Sequence, residues 1–226
     1  MPLLSVIVPV YNEAKTIKLI LEKINSVNID KEIIVVDDGS TDGTEAILEA
    51  IKYPDLKIVH HVRKRGKGAA FLTGLASSVG EFVIIQDGDL EYDPNDYLKL
   101  IEAIQNSGAD MVLGARFLKG YYGLLMPRLG NQWLTAIINF LFGSRLNDYS
   151  TCYKLAKRST WNDLNLKAAG FDIEVEIICS ILKNNKNLLE VPVTYRPRTY
   201  QEGKKIKWKD GLSAIFYMFK YRFTYF

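Results

Sequence analysis

The chain has 226 residues, of which 48% are hydrophobic and 24% are charged, and its formal net charge is +3. This composition excludes a disordered or fibrous protein, and so small a net charge gives no reason to expect nucleic acid as a partner. We interpret residues 1–226 as one globular domain, because this length can bury a single large core.

Cysteine content and the first residues indicate the compartment. Cys152 and Cys179 are too few for a disulfide framework, which favours a reducing, cytoplasmic setting. An apolar run starts almost at Met1, so we expect no signal peptide before it. The apolar runs at residues 133–143 and 212–219 fall short of the roughly 20 residues that a membrane-spanning helix needs.

Strands and helices alternate in the first half of the chain. Apolar, β-branched runs predict strands at residues 4–10, 32–36, 57–62, 81–85 and 111–113. Amphipathic segments between them predict helices at residues 14–27, 44–52, 68–79 and 95–106. This order predicts an α/β fold with a mostly parallel sheet, which would bind its ligand beyond the carboxyl ends of the strands.

Acids, bases and glycines follow the predicted strands, so they should meet at one edge of the sheet. The residues concerned are Pro9, Tyr11 and Glu13 after the first strand, Asp37 and Asp38 after the second, and the loop of residues 63–68 after the third. In this basic, glycine-containing loop, backbone amides and Lys67 could face a phosphate group.

Three carboxylates crowd the end of the fourth strand, in the sequence QDGDLE. Asp87 and Asp89 are two residues apart and can face the same ion, while Gly88 allows a close approach and Glu91 lies on the same side. Like charges repel one another, so a cation should complete the site. Oxygen ligands of this kind suit Mg²⁺ or Mn²⁺ bound together with the diphosphate of a substrate.

Four motifs in this order and spacing resemble the family-two glycosyltransferases of the GT-A fold: VIVPVYNE, VVDDGSTDGT, GKGAA and QDGDLEYDP. Later motifs, GARF, DYSTCYK and RPRTYQEGKKI, look like the branch that contains dolichol-phosphate mannose synthase and related polyprenyl-phosphate glycosyltransferases. The resemblance implies a Rossmann-like sheet flanked by helices, with amphipathic helices at a membrane interface towards the C-terminus. Residues 1–115 would bind the nucleotide sugar, and residues 116–226 the acceptor and the membrane.

The resemblance also implies roles for single residues. The nucleotide pocket would contain Pro9, Tyr11, Glu13, Asp37 and Asp38. The metal would be bound by Asp87, Asp89 and Glu91, although members of this branch often have glutamine at the position of Glu91. The acceptor phosphate would be held by Arg116 and Arg128. The loop that closes over the donor would include Lys204 and Lys205, and Arg198, just before it, would also contact the nucleotide sugar.

A phosphate acceptor would explain why arginines are needed at this site. A hydroxyl acceptor needs a base during attack, whereas a phosphate monoester, with a second pKa of about 6, is already anionic and needs cations to position it. Asp148 lies in DYSTCYK and could be a base, a group that orients an arginine, or a helix cap.

Apolar, aromatic and basic residues combine in two segments, PRLGNQWLTAIINFLFG and KIKWKDGLSAIFYMFKYRF. Each could pack against the protein, or lie at the headgroup level of a membrane and guide a polyprenyl chain. We expect peripheral contact with the cytoplasmic face of a membrane. Many members of this branch carry transmembrane helices after this point, so a separate membrane-anchoring protein is a candidate partner.

Three functions are compatible with the sequence. The first is an inverting glycosyltransferase that moves a sugar from GDP-mannose or a UDP-sugar to polyprenyl or dolichyl phosphate. The second is a glycosyltransferase with a saccharide hydroxyl as acceptor and Asp148 as base. The third is a nucleotide-binding scaffold without catalytic activity, against which the intact DxD motif argues.

Overall fold

A computed structural model describes residues 1–118, 125–198 and 208–223 of the chain. It contains seven strands: β1 (Leu4–Val10), β2 (Lys31–Asp37), β3 (Leu56–His60), β4 (Phe82–Ile85), β5 (Met111–Ala115), β6 (Lys154–Lys157) and β7 (Leu188–Pro192). The helices are α1 (Ile17–Ser26), α2 (Thr44–Ala50), α3 (Lys67–Ser77), α4 (Tyr97–Ser107), α5 (Leu125–Phe142), α6 (Arg158–Asp163), α7 (Ile173–Lys183) and α8 (Trp208–Phe223).

One mixed sheet holds all seven of these strands, in the order β3-β2-β1-β4-β6-β5-β7. Neighbouring strands are parallel except for β6, which runs antiparallel to β4 and β5. The prediction of a mostly parallel sheet flanked by helices is confirmed. Because β1, β2, β4 and β5 share a direction, the segments that follow them lie along one edge.

The centre of the sheet is mostly apolar. Side chains of β1, β2 and β4 are almost completely buried, as continuous apolar runs in parallel strands require. On one side of the sheet, Trp161 of α6 lies edge-on to Phe71 of α3, with ring centroids 5.0 Å apart. The indole Nε1 of Trp161 donates to the Val83 carbonyl at 3.1 Å, so its polar atom is satisfied inside the core.

Helices α5 and α8 form a layer at the C-terminal side of the fold. Arg222 Nε donates to the Leu141 carbonyl at 2.8 Å, and Met218 and Tyr221 of α8 are buried. Neither these two helices nor any other described helix combines the length and the apolar character needed to cross a bilayer.

A buried carboxylate ties together the strand ends opposite the ligand-binding edge. Glu32, only 5% exposed, accepts hydrogen bonds from Ser5 Oγ (2.6 Å) and from the Val79 (2.6 Å) and Gly80 (3.1 Å) amides. Its second oxygen pairs with Lys57 Nζ at 2.7 Å. Burial opposes ionisation, but the Lys57 and Ser5 hydrogen bonds and the Val79 amide lower the pKa of Glu32 below 4.5.

Replacing Glu32 by glutamine is expected to lower the free energy of unfolding by about 2 kcal/mol at pH 7, since a charged acceptor of several hydrogen bonds is lost. A lowered pKa stabilises the folded state above the unfolded pKa, and this contribution disappears as pH falls below 4.5. Urea unfolding at several pH values should show the two proteins converging in acid. Glu22→Gln, an exposed change on α1, should have little effect at any pH.

Candidate active site

Arg198 lies among three carboxylates at the edge of the sheet. Its Nη2 donates to Asp89 Oδ2 at 2.6 Å, and its Nη1 to Glu13 Oε2 at 3.3 Å. Its backbone amide donates to Glu91 Oε1 at 2.8 Å. Glu91 Oε2 accepts from the Tyr195 hydroxyl at 2.9 Å, so the segment after β7 fixes the geometry of Glu91. Residues distant in sequence therefore meet at the end of β4.

Among the described residues of this cluster, negative charge exceeds positive charge. Glu13, Asp89 and Glu91 face the single guanidinium of Arg198, which leaves two negative charges in excess when all three acids are ionised. Burial, and then the charges of Asp87 and Glu91, raise the pKa of Asp89 to about 7, although Arg198 opposes the shift. The surroundings of Asp89 thus favour the binding of an additional cation.

Asp87 belongs to a second, electrically balanced group. Lys67 Nζ lies 2.7 Å from Asp87 Oδ1 and 2.8 Å from Glu174 Oε1. Glu174 Oε2 pairs in turn with Nζ of Lys154, whose side chain is fully buried. Although burial opposes their ionisation, the neighbouring opposite charges lower the pKa values of Asp87 and Glu174 and raise that of Lys67. Two ammonium groups and two carboxylates alternate in this quartet.

Four amides in the loop before α3 and at the start of that helix have partners inside the protein, so these four do not face a phosphate as the sequence suggested. The amides of Arg65 and Gly66 donate to the Asp38 carboxylate at 2.8 and 2.7 Å. Those of Gly68 and Ala69 donate to carbonyls of residues 170 and 169 at 3.2 and 3.0 Å. These four backbone amides are therefore already hydrogen-bonded within the protein.

The turn after β2 is built around two buried carboxylates. Asp38 fixes the loop before α3, and its Oδ1 also lies 2.7 Å from His61 Nδ1. Asp37 accepts from the Ser40 amide at 3.1 Å and from its hydroxyl at 2.5 Å. Gly39 has a φ of +74°, and a Cβ there would lie 2.8 Å from the Arg63 carbonyl carbon. The turn and the loop are thus packed against each other.

Pro9 and Tyr11 are partly buried at the end of β1, beside that turn. Lys64 Nζ lies 4.0 Å from the centre of the Tyr11 ring, a cation–π contact. The predicted nucleotide-binding residues Pro9, Tyr11, Glu13 and Asp37 therefore lie along this edge of the sheet. Asp38 instead accepts hydrogen bonds from the backbone amides of Arg65 and Gly66.

Arg116 and Asp148 form a bidentate ion pair beyond β5. Arg116 Nε and Nη2 donate to the two carboxylate oxygens of Asp148 at 2.7 and 2.6 Å. The Arg116 amide (3.0 Å) and Asn131 Nδ2 (3.1 Å) add one donor to each oxygen. Burial opposes the charge, but Asp148 raises the pKa of Arg116. Asp148 is fully buried and caps no helix, so it orients the arginine.

Aromatic rings connect the Arg116 pair to the acidic cluster. The Arg116 guanidinium carbon lies 5.2 Å from the centre of the Tyr195 ring and 5.1 Å from that of Phe117. The guanidinium of Arg128, near the start of α5, lies 5.9 Å from the same Phe117 ring. Both predicted phosphate-binding arginines thus contact one aromatic side chain. Lys204 and Lys205 lie outside the described residues.

The carboxylates after β4 have the chemistry that a divalent cation needs, but they do not form a finished metal site. Across the described parts of the chain, no three His, Cys, Asp or Glu side chains are arranged to hold a metal ion. Arg198 lies among the acids instead, and its buried Nε, 3.6 Å from Glu91 Oε1, has no hydrogen-bond partner among the described residues. The carboxylate oxygens of Asp87, Asp89 and Glu91 are ligands of the kind that a hard cation such as Mg²⁺ or Mn²⁺ prefers.

Three contributors to this site are not evident from sequence patterns: Glu174, Lys154 and Tyr195. Glu174 is 107 positions from Lys67, and Tyr195 is 104 positions from Glu91. No local spacing predicts such contacts. Once Lys154 is known to be buried, its charge does indicate an anionic partner, but the strand sequence KLAK does not show that the lysine is buried.

The model of the family described as glycosyl transferase family 2 matches residues 5–163 of this chain. Curated relatives have similar sequences over most of it. A polyprenol monophosphomannose synthase of Mycolicibacterium smegmatis is 29% identical over 209 residues, which cover 85% of this chain and 77% of that protein. An undecaprenyl-phosphate mannosyltransferase of Micrococcus luteus is 28% identical, with 88% and 85% covered.

A dolichol-phosphate mannosyltransferase of Pyrococcus furiosus is 29% identical over 215 residues. The match covers 88% of this chain but only 58% of that relative, so the chain corresponds to little more than half of its length.

Solved structures share the fold. Mannosyl-3-phosphoglycerate synthase of Rubrobacter xylanophilus has a TM-score of 0.74 at 18% identity, covering 97% of this chain and 72% of that one. Glucosyl-3-phosphoglycerate synthase of Mycobacterium tuberculosis, solved with Mn²⁺, UDP and glucosyl-3-phosphoglycerate, has a TM-score of 0.69 at 24% identity. That match covers 89% of this chain and 74% of the other. The fold is that of the GT-A glycosyltransferases.

Proposed function

The chain belongs to glycosyl transferase family 2, and from this premise we propose that it transfers a sugar from a nucleoside diphosphate sugar to the phosphate of a polyprenyl phosphate. The donor would be GDP-mannose or a UDP-sugar. The names of the relatives, which are polyprenol- and dolichol-phosphate mannosyltransferases, support this choice of acceptor.

The observation that carries the proposal is the environment of Asp148. A saccharide hydroxyl would need a base, and Asp148 was the candidate. Its carboxylate is fully buried, and each oxygen accepts two hydrogen bonds, from Arg116 and Asn131. A group so occupied is poorly placed to remove a proton from an acceptor. Arg116 supplies a fixed cation instead, which suits an acceptor that is already an anion.

Each group of residues has a distinct role in the proposed transfer. Arg116, together with Arg128, holds the acceptor phosphate, and one of its oxygens attacks the anomeric carbon of the donor sugar. The bond between that carbon and the diphosphate breaks, and the bonding electrons leave with the nucleoside diphosphate. Attack from the side opposite the leaving group inverts the anomeric configuration. The segment after β1 and Asp37 hold the nucleotide, while Arg198, Lys204 and Lys205 contact the diphosphate.

Asp87, Asp89 and Glu91 would hold a divalent cation, with Glu91 also bound by Tyr195. When bound, Mg²⁺ or Mn²⁺ neutralises charge that develops on the departing diphosphate. With the cation bound, Arg198 would give up its contact with Asp89. The same guanidinium can then bind the diphosphate, since arginine pairs with phosphate as well as with carboxylate.

Contact with a membrane surface would bring the protein to its lipid. One side of α5 exposes Met126, Leu129, Trp133 and Phe140, and one side of α8 exposes Leu212, Phe216, Phe219 and Phe223. Spacings of three, four and seven residues place each set on a single helical face. The exposed Lys220 and Arg222 add positive charge for anionic lipid. We propose peripheral attachment at the cytoplasmic face through these two faces.

An acceptor comparison tests the proposal. The purified protein is incubated with Mn²⁺ and radiolabelled GDP-mannose, UDP-glucose or UDP-N-acetylglucosamine. Each donor is offered polyprenyl phosphate in anionic vesicles, polyprenol in the same vesicles, free monosaccharides or 3-phosphoglycerate. Of the four acceptors, we expect only polyprenyl phosphate to give labelled product, because polyprenol lacks the anion that Arg116 would bind.

Transfer to a monosaccharide or to polyprenol would show that the acceptor is a hydroxyl group, and it would contradict the proposal. Product with 3-phosphoglycerate and none with polyprenyl phosphate would instead place the chain with its structural neighbours in activity as well as fold.

A further inference from the structure

The charged quartet behind the acidic edge contains two residues to which the proposed function gives no role, Glu174 and Lys154. Glu174 is on α7 and Lys154 is on β6, beyond the three residues that form the predicted metal site. Lys67 Nζ is nearly equidistant from Asp87 Oδ1 (2.7 Å) and Glu174 Oε1 (2.8 Å). One ammonium group is thus shared between a predicted metal ligand and a second carboxylate.

We propose that Glu174, held in place by Lys154, is a positioning residue. By pairing with the ammonium group of Lys67, it weakens the hold of that group on Asp87 and so leaves Asp87 able to bind a divalent metal ion. This inference rests on the proposed role of Asp87 as a metal ligand. If Lys67 faced Asp87 alone, the whole of its charge would be directed at that carboxylate and would compete with a metal ion.

The geometry places the ammonium group of Lys67 between the two carboxylates. Glu174 Oε1 is buried and makes no directed hydrogen bond, although Lys67 Nζ is within contact distance. The other oxygen, Oε2, is the one that Lys154 binds, and Lys154 also donates to the Thr151 carbonyl. Lys154 therefore holds Oε2 of Glu174, while Oε1 lies 2.8 Å from Lys67 Nζ.

The outer pair can be removed without leaving a buried charge alone. Glu174→Gln by itself would leave Lys154 without its anion, which is costly in the interior. The combined variant Glu174→Gln/Lys154→Met removes one positive and one negative charge at similar volume. Lys67 and Asp87 remain, so the variant isolates the effect of sharing.

The experiment is a double-mutant cycle on metal affinity. Mn²⁺ alone is titrated into the full chain, and the unbound ion is measured by electron paramagnetic resonance. The proteins are the wild type, Glu174→Gln/Lys154→Met, Lys67→Met and the variant that combines all three changes. We expect the outer-pair variant to bind Mn²⁺ about tenfold more weakly, as loss of one charged hydrogen-bond partner implies. In the Lys67→Met background, the same change should have a smaller effect, because only the direct interactions of Lys154 and Glu174 with Asp87 then remain.

Glu176→Gln is the matched control, because Glu176 is a buried acid two residues further along α7 that accepts from the Lys167 and Ala168 amides. It should leave Mn²⁺ affinity unchanged. An outer-pair variant with wild-type affinity, or an effect that is equally large without Lys67, overturns the inference. A wild type that binds no Mn²⁺ refutes the metal role of Asp87, and the inference with it.

Discussion

Replacing Asp89 by asparagine is expected to reduce kcat/KM for sugar transfer by about 10³-fold or more. The carboxylate lies where the donor diphosphate and its cation are proposed to meet, and charge stabilisation by such an ion contributes several kcal/mol. An amide keeps the shape of the side chain and removes its charge. Initial rates with Mn²⁺, the active donor and polyprenyl phosphate measure the loss. Glu102→Gln, an exposed change on α4, should leave the rate unaltered.

The same substitution should not destabilise the metal-free protein at pH 8. An acid whose pKa is raised to about 7 in the folded state costs stability once it ionises, and this cost accumulates between the unfolded value of 3.8 and about 7. Asparagine removes the cost, so its melting temperature in chelator should equal or exceed that of the wild type. Retained transfer, or an inactive variant that is also unfolded, would contradict this account of Asp89.

Replacing Arg116 by lysine should reduce kcat/KM for polyprenyl phosphate by about 10²-fold or more, while donor affinity stays unchanged. Lysine keeps one positive charge but loses the planar fork that binds both oxygens of Asp148 and would position the phosphate. Steady-state rates over a range of acceptor concentrations measure the effect, and calorimetric titration of the donor nucleotide with Mn²⁺ provides the comparison. Arg158→Lys, at the opposite end of the sheet, should change neither quantity.

Breaking a buried ion pair from one side costs about 3–5 kcal/mol, so the loss of activity needs a second test. The double variant Arg116→Gln/Asp148→Asn removes both charges together. It should fold, bind the donor nucleotide and remain inactive towards polyprenyl phosphate. Full transfer by this variant, or loss of nucleotide binding together with transfer, would show that Arg116 does not act on the acceptor.

The first half of the fold could be predicted because each part of it has a local signal. The strands β1, β2 and β4 are continuous apolar runs, and glycines or acids mark the turns that follow them. Boundaries moved slightly: the third strand ends at His60, two residues before the prediction, and Val62 is exposed.

The second half could not be predicted in the same way. The strand β6 reads KLAK and enters the centre of the sheet antiparallel to its neighbours, so its burial depends on tertiary contacts. Lys154 can be buried there only because Glu174, 20 residues later, supplies the opposite charge. No periodic pattern carries that information.

The site divides similarly. Motif order and strand ends predicted which acids reach the edge of the sheet, and the structure brings Glu13, Asp89 and Glu91 together there. The position of Arg198 among them, in the absence of a donor, depends on the chain returning from β7. Such a contact spans more than 100 residues and has no local signature.

The central claim is that the acids after β4 share a divalent cation with the two phosphoryl groups of a sugar donor. A crystal structure of the protein with Mn²⁺ and the nucleoside diphosphate of its donor, with data collected at the manganese absorption edge, tests it most directly. The account predicts an anomalous peak bound by Asp87, Asp89 or both and by diphosphate oxygens, with Arg198 moved away from Asp89. A diphosphate bound elsewhere, with no ion touching either aspartate, would contradict it.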